Sequence, residues 1–163
     1  MRRYCLDTNV FIQAKNGPYG FDIVPAFWDW IDQQVASGII YSSTTVYSEL
    51  EDGDDELASW VRERRDSGLF AEPDTIVQQK FREIAEYVES TYPRHESQEF
   101  LAKADPWIVA HGKAEGSVAV THEILVPANS SRVKIPNVCM HFGVEYINPY
   151  VMLRELNARF GLS

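Results

Sequence analysis

Tyr4-Cys5-Leu6-Asp7-Thr8-Asn9-Val10-Phe11-Ile12 decides the fold. An apolar run stops at one carboxylate and resumes at once with helical spacing, as expected when a short buried strand turns directly into a helix. A carboxylate at the end of a buried strand loses its hydration unless it is hydrogen-bonded, paired or bound to a cation. Ligand sites of open α/β sheets lie at those strand ends, so Asp7 is the first candidate for a metal-site residue. Beside it, Thr8 and Asn9 carry polar groups suited to orienting a carboxylate or a water.

Outward from this stretch, strands and helices alternate. Strands are expected over Arg3 to Leu6, Ile39 to Ser42, Ser117 to Thr121 and Glu145 to Ile147. Helices are expected over Thr8 to Ala14, Pro25 to Val35 (with Asp22 and Pro25 as start signals), Asp54 to Asp66, Asp74 to Tyr92, Pro136 to about Phe142 and Tyr150 to Phe160. Glu49 falls about two turns into a helix capped by Ser43 or Thr44. The region around Pro93 to Gln98 reads as a loop. Beyond it, Asp105 stands at the cap position of a helix with Pro106 at its first turn. Strands alternating with helices predict an α/β fold, a three-layer α/β/α sandwich around a central, mostly parallel sheet.

With 163 residues, 45% of them hydrophobic, the chain fits a single domain over 1–163 that needs neither disulfides nor a structural metal. Cys5 and Cys139 belong to no CxxC or Cys/His group, so two buried free thiols are expected. The basic opening Met1-Arg2-Arg3 resembles a signal-peptide start, but Asp7 and Asn9 interrupt the apolar run that follows. No stretch approaches the roughly 20 apolar residues that span a bilayer, so a cytoplasmic protein without a membrane partner is expected. The net charge of -9 argues against a broad, non-specific nucleic-acid surface. It leaves room for a small one, because carboxylates neutralised by a divalent cation inflate the formal negative count. Local basic groups lie at Arg2/Arg3, Arg62/Arg64/Arg65, Lys80/Arg82 and Arg132/Lys134.

Four acids occupy comparable places: Asp7 after the first strand, Glu49 in the helix after the second, Asp105 at a helix start and Glu123 after Val118 to Thr121. In a parallel sheet all strand carboxyl ends point one way, so residues a hundred positions apart can meet there. Three or four carboxylates at one point repel one another, and a hard, oxygen-seeking cation such as Mg²⁺ or Mn²⁺ resolves the conflict. Taken singly, three of the acids have an ordinary reading, Asp105 as a cap, Glu49 as part of the solvated acidic run through Glu56 and Glu123 as a loop charge, whereas Asp7, beside Thr8 and Asn9, is the hardest to dismiss.

Taken together, the segments Leu6-Asp7-Thr8-Asn9-Val10, Val46-Tyr47-Ser48-Glu49-Leu50, Ala104-Asp105-Pro106-Trp107-Ile108-Val109-Ala110 and Val118-Ala119-Val120-Thr121-His122-Glu123 resemble the PIN-domain superfamily of metal-dependent nucleases. The resemblance spans nearly the whole chain. Phe27-Trp28-Asp29-Trp30 and Ile135-Pro136-Asn137-Val138-Cys139 further resemble a prokaryotic PIN-like branch that includes toxin halves of toxin-antitoxin pairs. The resemblance implies an endoribonuclease that hydrolyses RNA to 5′-phosphate and 3′-hydroxyl ends. It implies Asp7, Glu49 and Asp105 as principal ligands of Mg²⁺ or Mn²⁺, Glu123 as an outer ligand, and Thr8, Asn9 and Thr121 as groups orienting carboxylates or water. It also implies a cognate antitoxin and a homodimer as partners. Glu123 departs from the family pattern, in which the corresponding acid is commonly Asp.

Two other readings compete. A PIN-like module that binds RNA or protein without cutting is the first, though clustered negative charge has no use in it. A haloacid-dehalogenase-type phosphatase also begins with an aspartate after its first strand, but it needs a second Asp two residues on, where this chain has Asn9.

Overall fold

The computed structural model describes residues 2–162. The basic opening is therefore described from Arg2 onward. Five short strands are present among the described residues: β1 (Tyr4–Leu6), β2 (Ile40–Ser43), β3 (Phe70–Ala71), β4 (Val118–Val120) and β5 (Tyr146–Ile147). They form one sheet in the order β3-β2-β1-β4-β5, and every pair is parallel. The expected mostly parallel sheet is thus wholly parallel. Strands of such a sheet are covered on both faces, which is why Tyr4-Cys5-Leu6 and Val118-Ala119-Val120 are uniformly buried rather than alternating.

Nine helices among the described residues complete the three layers: α1 (Thr8–Asn16), α2 (Pro25–Ala36), α3 (Thr44–Leu50), α4 (Glu56–Glu63), α5 (Thr75–Thr91), α6 (Arg94–Leu101), α7 (Asp105–Glu115), α8 (Ile135–Phe142) and α9 (Pro149–Glu155). Helix α7 lies against β1, β2 and β4, with α5, α6 and α8 packed around it. Helices α1, α3 and α4 pack together, and α2 lies on β2. The α1, α2 and α4 side of the core is aromatic: Trp28 stacks on Phe21 at 4.1 Å and meets Trp60 edge-on at 4.9 Å. Both cysteines are free and buried. No helix among the described residues is long and apolar enough to cross a membrane.

Several boundaries differ from the sequence expectation. The loop expected around Pro93 to Gln98 is helix α6. Its polar sequence has little apolar periodicity; instead the Ser97 hydroxyl donates to Val88 O at 3.0 Å and Tyr92 O at 3.3 Å, tying the new helix to the end of α5. Strand β3 is too short to leave a pattern and exists by pairing with Ser42 and Ser43. Helix α2 starts from Val24, which makes no side-chain cap bond, rather than from Asp22. Helix α4 is capped by Asp55 and ends at Glu63, short of Asp66. Helix α9 ends at Glu155, before Asn157 turns into the left-handed region at φ 54°.

Candidate metal centre

The sheet order reverses its direction of growth at β1 and β4: from β1 the chain builds outward to β2 and β3, and from β4 outward to β5. Such a switch point opens a crevice beyond the strand carboxyl ends. Asp7 leaves β1 directly into it, its amide anchored to Val120 O at 3.0 Å. Thr121, from the end of β4, stands opposite with its hydroxyl on Asp7 Oδ2 at 3.1 Å. Asp7 is the N-cap of α1, where Oδ1 accepts from the Thr8 amide at 2.8 Å, and only 2% of the residue is exposed.

Asp105 begins α7 as its first helical residue. The cap position itself belongs to Ala104, which has no side-chain cap bond of its own, so the reading of Asp105 as a cap does not hold. The Ala104 amide is satisfied from elsewhere, by Glu49 Oε2 at 2.7 Å. The other oxygen of Glu49 accepts from the Thr8 hydroxyl at 2.6 Å. Glu123, after β4, places Oε1 on the Ile135 amide at 2.8 Å, tying it to the start of α8, and its own amide donates to Thr121 Oγ1 at 3.1 Å. Of the residues expected to orient the acids, Thr8 and Thr121 do so. Asn9 is exposed and makes none of these bonds.

The electrostatics show that the acids are neighbours. Burial, followed by the negative charges of Asp105 and Glu123, pushes the Asp7 carboxyl up to about 8 despite its two hydrogen bonds. Burial, followed by the charges of Glu123 and Glu49, raises Asp105 to about 6. None of the four acids forms a salt bridge with a lysine or arginine among the described residues. No group of three or more His, Cys, Asp or Glu side chains among those residues is gathered closely enough to hold an ion as it stands. Asp7, Glu49 and Glu123 instead each turn oxygens toward protein donors. The donor chemistry nonetheless fits a hard divalent cation: the oxygens are all carboxylate, one of the acids is almost wholly buried, and the nearby Lys103 lowers Asp105 only in part, leaving it raised.

Beside Asp105 and Glu123 opens a cleft of about 340 Å³ that also presents Lys103, Arg132 and Lys134, with Glu96 and Glu99 at its side. Arg132 and Lys134 were legible as a local basic pair; Lys103, a single charge two positions before Asp105, was not. Other expected basic groups are engaged elsewhere: Arg2 with Glu145 and Glu155, Arg64 with Asp32, and Lys80 with Glu83. His122 is half-buried next to Glu123 and meets the Tyr150 ring edge-on at 6.1 Å; burial lowers its pKa.

No curated protein matches the sequence. A family model described as a domain of unknown function, DUF4411, matches residues 4–160, a span that includes all five strands and all four acids. The chain belongs to the DUF4411 family.

Proposed function

We propose that the chain is a cytoplasmic, metal-dependent endoribonuclease of PIN-like design, in which Asp7, Asp105 and Glu123 would hold Mg²⁺ or Mn²⁺ with Glu49 beside Asp105. One observation carries this reading. Acids from four separate parts of the chain lie around the switch point of a parallel sheet within reach of one another's charge, Asp7 and Asp105 are pushed above the usual carboxylate range, and none of the four is in a salt bridge with a lysine or arginine among the described residues. A bound divalent ion supplies three things at such a site: a water acidified toward neutrality, a grip on the scissile phosphate, and an offset for charge on the attacking and leaving oxygens.

The chain's own residues divide the remaining work. Thr8 and Thr121 hold the Asp7 carboxylate so that it does not rotate away from the crevice. The Ile135 amide does the same for Glu123. Lys103, Arg132 and Lys134 line the adjoining cleft, where they would bind the phosphates flanking the scissile bond. Such contacts draw in a polyanion without the broad basic surface that the net charge of -9 excludes. Asn9 in place of a second aspartate removes the acid partner that a phosphatase nucleophile at Asp7 would need.

The test is cleavage of a mixed RNA pool by purified protein with Mn²⁺, with Mg²⁺ and with chelator, alongside Asp7→Asn and Asp105→Asn. The expected result is cutting with either ion, none with chelator, and a fall of about 100-fold or more in both variants, roughly 3 kcal/mol of barrier. Undiminished cutting by both variants, or no cutting together with no binding of either ion, would reject the reading.

A further inference from the structure

Glu49 differs from the other acids in what it joins. Its two carboxylate oxygens reach two different helices at short distances: Oε1 takes the Thr8 hydroxyl of α1 at 2.6 Å, and Oε2 takes the Ala104 amide ahead of α7 at 2.7 Å. Thr8 directly follows Asp7 in the chain, and its amide binds Asp7 Oδ1 at 2.8 Å. Ala104 directly precedes Asp105. A continuous link therefore runs Asp7, Thr8, Glu49, Ala104, Asp105, crossing from one layer of helices to the other with Glu49 as its middle member. Ala104 is fully buried, and its helix has no cap bond from its own side chain, so Glu49 satisfies an amide at the α7 start that would otherwise lack a partner.

We propose that Glu49 is a positioning residue rather than a metal ligand: it clamps the starts of α1 and α7 at a fixed separation and so sets the placement of Asp7 against Asp105. The inference rests on the reading of those two acids as ligands. What the clamp requires is an acceptor for the Ala104 amide and a partner for the Thr8 hydroxyl. A glutamine meets both needs, its carbonyl accepting from Ala104 and its amide donating to Thr8 Oγ1. A direct ligand needs the negative charge, which glutamine lacks.

The experiment measures Mn²⁺ affinity by calorimetry for the wild type, Glu49→Gln, Glu49→Ala and, as the ligand-loss reference, Asp105→Asn. It also measures hydrogen exchange at the Ala104 amide in the metal-free proteins. Glu49→Gln is expected to bind Mn²⁺ within about threefold of the wild type, while Glu49→Ala weakens by about 10- to 100-fold, the range seen when residues supporting a ligand are removed. Ala104 is expected to stay protected in Glu49→Gln and to lose protection in Glu49→Ala. Affinity in Glu49→Gln as weak as in Asp105→Asn would make Glu49 a ligand and overturn the proposal. Unchanged affinity or unchanged Ala104 protection in Glu49→Ala would overturn it as well. A wild type that binds no Mn²⁺ would instead sink the nuclease reading, and the exchange of Ala104 would still decide the clamp.

Discussion

At the scale of single residues, the metal-free protein works against its own charge at Asp7. The folded carboxyl holds its proton up to about pH 8, whereas the ordinary value is 3.8. Below that ordinary value both folded and unfolded chains carry the proton, and the contribution of this group to stability is fully present. Across the window from 3.8 to about 8 the unfolded chain has released a proton that the fold retains, so stability falls as pH rises. Asp105 adds a loss of the same sign up to about 6. Asn at position 7 cannot ionise and can keep both bonds, accepting from the Thr8 amide and donating to Thr121. Metal-free Asp7→Asn should therefore melt higher than the wild type at pH 8 by about 4 °C or more, for a gain of at least about 2 kcal/mol, with the gap closing near pH 4. Thermal melts of both proteins at pH 4, 6 and 8 check this; equal melting at pH 8 would mean that Asp7 is not under charge stress. Asp7, Asp105 and Glu123 were legible as residues because each interrupts an apolar pattern at a strand end or helix start. The separate bond pattern of Glu49 was not, since its partners Thr8 and Ala104 are 41 and 55 positions away.

At the scale of elements, α7 carries the site and its fit to the sheet is close. A side chain at Gly112 would place its Cβ 2.6 Å from Val144 Cγ1 and 3.1 Å from Ser117 O. Valine is stiff and Ser117 O is backbone, so neither yields easily. Gly112→Ala should lower stability by about 1–3 kcal/mol through overpacking, read as a lower urea midpoint with an unchanged slope. An unchanged midpoint would show that α7 has room to shift. Elements with strong apolar periodicity, such as α5, or with Pro at the start, such as α7 and α8, could be read from sequence to within a few residues. Helix α6 and strand β3 could not. The first is held by Ser97 bonding back to α5, and the second by pairing with β2, and both are tertiary relations that no local pattern records.

At the scale of the whole molecule, topology sets which parts of the chain face one another across the switch point. The strand order β3-β2-β1-β4-β5 makes β1 and β4 neighbours, so Asp7 and Thr121, 114 positions apart, share a hydrogen bond. The alternation of strands and helices foretold a parallel sheet, and a parallel sheet foretold acids at one edge. Which of them would be nearest one another depended on strand order, which sequence does not state. The overall charge of -9 likewise conceals the local mixture of Lys103, Arg132 and Lys134 beside Asp105 and Glu123. The proposed function requires this switch-point crevice to hold a divalent ion. Diffraction at the manganese absorption edge from crystals grown with Mn²⁺ tests it most directly. An anomalous peak is expected in contact with carboxylate oxygens of Asp7 and Asp105, absent in Asp7→Asn crystals; a crevice with no peak in fully ordered wild-type crystals, or manganese only elsewhere on the surface, would rule out a metal site here.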